Sequence, residues 1–401
     1  MNRADALTCY AQVENGRVAL TWQVIGRADP ASSFQIQRRE HADFTFGVHY
    51  AGFFASWDPT GAVSVARKVP VATGRFVDRD VQVGSTYSYA WFDEARPDQP
   101  LGTAYAKVRD NRVWWTYRST QQKMMALAEE FSDRVRFKCF GHSIAGHPIE
   151  GVIAGVPSPA VAVVGLVHPG ESGPELALPA LRRLLQERPA LFERCGLAVL
   201  PAVNRDERDR MVAGVPYYMR TNANGVDLNR NFDGQWHVTD YTYGNDTSSP
   251  SSPTYRGDRP ASEPETRAVV RLVEDVKPAA IFSLHWLASV TGDRLLGSKF
   301  AADDAGYVER CERFRAAFSA GFREPDAPSR DGVEYVEPGG SLPAWAHEKL
   351  GIPAFDVEHY NDEPGQVCRF DHTNPAYLAE YQGRYARALA RVMELSAAED
   401  R

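Results

Sequence analysis

Hydrophobic positions change their rhythm about a quarter of the way along this chain. Over residues 1–112 they alternate with polar ones in short runs: Val18–Trp22, Phe34–Arg38, Thr86–Phe92 and Thr103–Val108. Turn formers separate the runs, as in Gly26–Pro30 and Asp93–Pro100. A period of two, repeated at this spacing with no helical stretch, predicts an antiparallel β-sandwich for residues 1–112.

Over residues 113–401 apolar runs alternate instead with helix-forming stretches. Strands are predicted at Val135–Cys139, Ile149–Ala154, Val161–Val167, Leu197–Val203, Ala279–Leu284 and Ile352–Val357. Helices are predicted at Thr120–Phe131, Pro174–Glu187, Glu263–Val276, Ala305–Gly321, Ser341–Leu350 and from Asn374 to about Ala397. Strands apolar on both faces and separated by helices predict an α/β fold: a mixed, mostly parallel sheet with helices on both faces. Ser172-Gly-Pro-Glu175 has the form of a capping box with proline in the first turn, so a helix is expected to start there. Tyr241–Pro260, rich in Ser, Thr, Gly, Asp and Pro, is expected to be a long loop. At roughly 150 residues per domain, 401 residues agree with two domains.

Composition narrows the class. The chain is 43% hydrophobic and 24% charged, an ordinary globular balance with ample material for a core. With 45 basic against 52 acidic residues the net charge is −7, which argues against nucleic acid or an anionic membrane as the main partner. No stretch approaches the ~18 apolar residues of a membrane span, and Met1–Ala6 has no apolar signal region. The five cysteines are scattered and form no CxxC, as expected of reduced thiols in a cytoplasmic protein.

The candidate chemistry lies at strand ends. His168-Pro-Gly-Glu171 follows the run Val161–Val167, His285 follows Ala279–Leu284, and Glu358 follows Ile352–Val357. Open α/β sheets bind ligands outside the carboxyl ends of their strands, so residues far apart in sequence converge there. Two imidazoles and a carboxylate suit tetrahedral Zn²⁺ with one position open for water. Glu358 would then act as general base on that water and return the proton to a leaving amine. Singly, a strand-end histidine is more often a satisfied structural residue than a ligand; the joint placement carries the metal reading. His359 would face the opposite side of its strand and reads as structural. His41, His49, His142, His147, His237, His347 and His372 show no ligand spacing.

Two resemblances follow from the motifs. Arg75–Tyr89, after Gln35–Arg39, resembles the later strands of a fibronectin type III domain, which implies a spacer or interaction module for residues 1–112. His168-x-x-Glu171, Gly225-Val-Asp-Leu-Asn-Arg-Asn-Phe232, Ser283-Leu-His285 and Tyr335…Gly339-Gly-Ser341…Glu358 occur in the order of zinc metallocarboxypeptidases of the carboxypeptidase A-like superfamily. The lead-in Asp133–Ile149 and the segment Tyr255–Glu265 are also similar, so the resemblance spans about residues 117–395 and implies a catalytic domain over 113–401. It implies one zinc per chain, held by His168, Glu171 and His285, with Glu358 as the base. It further implies that Arg220 polarises the scissile carbonyl, that Asn229 and Arg230 grip the substrate's terminal carboxylate, and that Tyr335 is the mobile substrate-binding tyrosine.

The Pro-Gly spelling and the preceding β-domain resemble the cytosolic and bacterial members more than the digestive ones. Trp286 stands where digestive members often have serine, and Leu342 offers no acidic partner to a basic terminal side chain. Arg256, Arg259 and Arg294 would favour an acidic one, unless they are solvated loop charges. The expected function is a carboxypeptidase that hydrolyses the C-terminal peptide bond by a Glu-promoted zinc-water mechanism. Its expected substrate is a peptide or peptide-like molecule with a free C-terminal carboxylate, with neither nucleic acid nor membrane as partner. The alternatives are a zinc amidase or deacylase acting on cell-wall peptides or N-acyl amino acids, and a non-catalytic binding protein that keeps the fold. The intact set of chemistry-bearing residues disfavours the last.

Overall fold

The computed structural model describes residues 6–25, 33–41, 57–93, 99–171, 173–216, 219–238, 241–242, 245–285, 294–323, 332–358 and 375–399. The chain forms two compact units. The smaller contains Met1–Trp114 together with Arg210–Tyr218, and most of the remaining residues form the larger.

The smaller unit has strands β1 (Ala6–Glu14), β2 (Arg17–Ile25), β3 (Ser33–His41), β4 (Val63–Pro70), β5 (Arg75–Asp78), β6 (Thr86–Asp93) and β7 (Gly102–Lys107). They make two antiparallel sheets, ordered β1-β2-β5 and β4-β3-β6-β7. The alternation predicted from sequence sets the core: Val18, Leu20 and Trp22 of β2 are buried with Ile36, Tyr87, Tyr89 and Trp91. Buried Asp78 accepts hydrogen bonds from Arg38 Nη1 (3.0 Å) and the Tyr89 hydroxyl (3.1 Å), so its charge is compensated inside the fold. The unit also recruits a later segment, because Val13 N donates to Ala213 O (2.7 Å) and Lys107 N to Gly214 O (2.9 Å).

In chain order the elements that follow begin with α1 (Tyr117–Glu130), β8 (Val135–His142), β9 (Pro148–Ala154), β10 (Ala160–Gly165), α2 (Pro174–Glu187), β11 (Gly196–Leu200) and α3 (Arg205–Val212). Next come the two-residue strands β12 (Tyr241–Thr242) and β13 (Asn245–Asp246), then α4 (Pro264–Val276), β14 (Ala280–Leu284) and β15 (Arg294–Ser298). The last are α5 (Ala305–Phe322), β16 (Glu334–Glu337), α6 (Leu342–Trp345), β17 (Ala354–Glu358) and α7 (Pro375–Glu399). The large sheet is ordered β16-β15-β17-β14-β10-β11-β9-β8. β17, β14, β10 and β11 are mutually parallel, and antiparallel pairs join them to β15 on one side and β9 on the other. This is the mixed sheet that the sequence pattern predicts.

Ala162 and Val164 of β10 pack with Val269 and Leu272 of α4 and with Leu342 and Trp345 of α6. On β14, Phe282 stacks on Phe318 of α5 (ring centroids 5.2 Å apart), and Phe318 and Phe322 in turn meet Tyr385 of α7. The start of α2 differs from expectation. Gly173, not Ser172, is its N-cap, and a Cβ at Gly173 would lie 2.8 Å from Pro201 O, so the close approach requires glycine. The predicted helix Ser341–Leu350 is divided into α6 and a π-helical turn over Ala346–Leu350. Ser172, Trp286, His359, His372 and His49 lie outside the described residues. Among the described residues no helix is long and apolar enough to cross a membrane, and Cys9, Cys139, Cys195 and Cys311 are free thiols.

Candidate active site and metal centre

β17, β14 and β10 are parallel neighbours, so their carboxyl ends lie side by side. Glu358 is the last residue of β17, His285 follows the last residue of β14, and His168 lies three residues beyond β10. The loop after β10 is held from below. Val203 N donates to Gly165 O (3.0 Å) and Asn204 N to Leu166 O (2.9 Å). Leu166 takes φ +52°, a left-handed conformation that a branched residue adopts only where the surroundings enforce it.

The result is a buried three-residue cluster. Nδ1 of His168 lies 3.1 Å from Glu171 Oε1 and 3.2 Å from Nδ1 of His285, which is 3.1 Å from Glu171 Oε2. The outer nitrogens face acceptors: His168 Nε2 meets Asp227 Oδ1 at 3.0 Å, and His285 Nε2 meets Ser283 Oγ at 2.9 Å and Asp356 Oδ1 at 3.4 Å. Asp227 at His168 Nε2, and the Ser283 hydroxyl with the charge of Asp356 at His285 Nε2, favour ring protons on those nitrogens, which turns both Nδ1 lone pairs toward Glu171. The donor spacing of 3.1–3.2 Å compares with roughly 3.3 Å for the edge of a tetrahedron whose metal–ligand bonds are ~2.0 Å. Electrostatics agree. Burial opposes charge on Glu171, yet His168 and His285 hold it well below the usual carboxylate range. Burial likewise opposes charge on His285, yet Asp356 and Glu171 raise it well above the ordinary imidazole value. The cluster favours positive charge at its centre, and its nitrogen and oxygen donors fit Zn²⁺.

Around the cluster, Asp227 accepts from His168 and from Asn229 N (3.0 Å) through Oδ1, and from Arg220 Nε through Oδ2 (2.6 Å). Burial opposes its ionisation, but Arg220 and His168 hold it well below the ordinary range. Burial pushes the Glu358 carboxyl up to about 8, against the pull of His285 and with help from the carboxylates of Glu171, Glu337 and Asp356.

The other residues expected from sequence are placed as follows. The Asn229 amide is engaged within the protein, donating to Asp356 Oδ2 (2.7 Å) and accepting from Leu342 N (3.0 Å). Arg230 is buried, with Nη1 donating to Asn229 O (2.6 Å) and 3.7 Å from Glu337 Oε2. Tyr335 packs its ring over Gly297, and its hydroxyl is buried near Cys311. Leu342 belongs to the core. Arg294 pairs with Glu334, Arg256 lies over Trp236 (4.3 Å to the ring centroid) and donates to Trp236 O (2.6 Å), and Arg259 is exposed.

Sequence reasoning missed several members of the site. Ser283 and Asp356 lie two residues before His285 and Glu358, so the period of a strand puts each on its neighbour's face, a usable signal. Asp227 sits inside the quoted Gly-Val-Asp-Leu-Asn-Arg motif. Arg208 gave no local signal. Fully buried, it donates from Nη1 to Pro169 O (3.0 Å) and Glu171 O (2.8 Å), from Nε to Trp115 O (3.2 Å), and pairs with Glu175.

A mixed α/β sheet carrying a buried His-Glu-His cluster beside a strand-end glutamate defines a zinc metallohydrolase. The chain belongs to the zinc carboxypeptidase family, whose model matches residues 120–360. Murein peptide amidase A of Escherichia coli is 41% identical over 70 residues, an alignment covering 17% of this chain and 29% of that protein's length. Murein peptide amidase A of Vibrio campbellii is 28% identical over 251 residues, covering 60% of this chain and 88% of that protein. In fold the chain is similar to carboxypeptidase A from Helicoverpa armigera, with a TM-score of 0.59 at 15% identity over 92% of this chain and 99% of that one.

Proposed function

We propose that this chain is a zinc exopeptidase that hydrolyses the amide bond before a terminal residue bearing a free carboxylate. The observation that carries the reading is the meeting of His168, Glu171 and His285 beside Glu358 at adjacent parallel strand ends, with buried Arg230 nearby. In this reading His168, Glu171 and His285 hold the zinc, which when bound lowers the pKa of water and polarises a carbonyl. Glu358 removes the water proton and delivers it to the leaving amine. Arg220, steadied by Asp227, presents positive charge to the oxygen that becomes negative as the carbonyl is attacked. Arg230 receives the substrate's carboxylate. Asn229 orients Asp356 and the backbone at Leu342 in place of a direct grip.

The similarity to murein peptide amidases supports a second reading within the same chemistry, in which the amide belongs to a cell-wall peptide. The test is mass spectrometry of zinc-loaded protein on peptides with free and amidated C-termini and on cell-wall peptides. Loss of single terminal residues from free-carboxylate peptides, at least tenfold faster than from amidated ones, is expected of the first reading. Equal rates refute the carboxylate requirement. Glu358→Gln should retain zinc by elemental analysis and lose roughly 100-fold or more in turnover; a loss under tenfold refutes the base assignment.

A further inference from the structure

Glu337, the last residue of β16, is a buried carboxylate at 9% exposure that faces Arg230 across 3.7 Å. At that distance the two charges attract without a hydrogen bond. Glu337 Oε2 has no hydrogen-bond partner among the described residues. A buried carboxylate oxygen left in that state is costly, and a ligand that donates to it removes the cost. Burial pushes the Glu337 carboxyl up to about 7, with help from Asp356 and against the pull of Arg230, His285 and Arg220, so it shares the field of the active-site cluster. Of the arginines that would select an acidic terminal side chain, Arg294 is engaged by Glu334, Arg256 donates to Trp236 O, and Arg259 is exposed.

We propose that Glu337 is a specificity-determining residue that accepts the side-chain ammonium of a terminal residue whose carboxylate is held by Arg230. The inference rests on the exopeptidase reading above and names its substrate class: peptides ending in a residue with a positively charged side chain. A cation that donates to Oε2 supplies the bond Glu337 lacks. A neutral side chain supplies no donor to that oxygen, and an acidic one sets two carboxylates against each other. The preference therefore runs cationic, then neutral, then acidic. A lysine end and the diamino-acid end of a cell-wall peptide share this ammonium.

The test compares kcat/KM of the zinc-loaded full chain on blocked dipeptides ending in lysine, norleucine, glutamate or a diamino diacid. Lysine or the diamino diacid should exceed norleucine, and the faster of the two identifies the natural source of the ammonium. Glu337→Gln should lose roughly 100-fold on the cationic ends, mainly through KM, and the ratio of kcat/KM on lysine to that on norleucine should fall at least about tenfold. A parent enzyme that prefers norleucine or glutamate overturns the assignment while the exopeptidase reading stands. The same change on every substrate in Glu337→Gln also overturns it, since Glu337 then only neutralises Arg230. No cleavage of any substrate overturns both readings.

Discussion

Replacing Arg208 with methionine tests how the metal-ligand loop is held. The side chain is fully buried and binds the carbonyls of Pro169 and Glu171, two residues of the His-Pro-Gly-Glu turn, while its other nitrogens bind Trp115 O and Glu175. Removing one partner of a buried ion pair costs about 3–5 kcal/mol. The orphaned carbonyls add about 1 kcal/mol or more each. Arg208→Met should therefore lose roughly 5 kcal/mol or more, a large share of the ~5–15 kcal/mol that holds a domain folded. Urea unfolding at fixed zinc measures that loss. Competition with a chromophoric chelator measures the second effect, a fall in zinc affinity of roughly 10–100-fold as the Glu171 backbone loosens. Adding Glu175→Gln removes the stranded charge and leaves an acceptor for Trp115 N, which donates to Glu175 Oε1 at 2.8 Å. The double variant should regain about 1–3 kcal/mol, with zinc affinity still low because both turn carbonyls remain unheld. A single variant within about 1 kcal/mol of the parent, with unchanged affinity, would refute the reasoning.

Two other substitutions isolate separate features. Asp227→Asn removes the carboxylate that fixes the His168 tautomer, so chelator competition should show zinc binding weakened by about 10–100-fold; unchanged affinity would show that the tautomer is set elsewhere. Gly340→Ala would place a Cβ 2.1 Å from Arg230 O at φ +78°, whereas Gly225→Ala at φ +74° meets nothing within 4 Å. The second should cost about 1–2 kcal/mol for backbone conformation alone. The first should exceed it by about 2 kcal/mol or more in thermal or urea unfolding, because the Arg230 backbone must shift; equal costs would refute the steric argument.

The parts of this protein that were legible in sequence are those governed by local periodicity or by a general rule of sheets. Uninterrupted apolar runs mark β10, β11 and β14, and the rule that ligands gather at carboxyl strand ends brings His168, Glu171, His285 and Glu358 together from sequence alone. β15 and β16 carry no such signature, because each has only four or five residues with charged ones among them, as in Glu334-Tyr-Val-Glu337. α3, Arg205-Asp-Glu-Arg-Asp-Arg-Met-Val212, is almost entirely charged and has no apolar stripe to announce it. Arg208 looks like a surface charge from its neighbours in sequence, yet it is buried because partners 33 to 93 residues away surround it. The inward-facing Asn229 amide was illegible for the same reason: Asp356 and Leu342 reach it only through the fold. The contribution of residues 210–218 to the β-rich unit could not be read from a boundary drawn at one point in the chain.

The two oxygens of Asp227 have a bearing on how this protein can diverge. One holds His168 and the other holds Arg220. A change at position 220 alters the field on the histidine, and a change at position 168 leaves Oδ1 with only the Asn229 backbone amide, so more of the charge draws on the arginine. The three positions are thus expected to vary as one inherited unit. A lineage that gives up zinc should lose its constraint on Arg220 as well, so descendants that retain the arginine without the histidine should be rare.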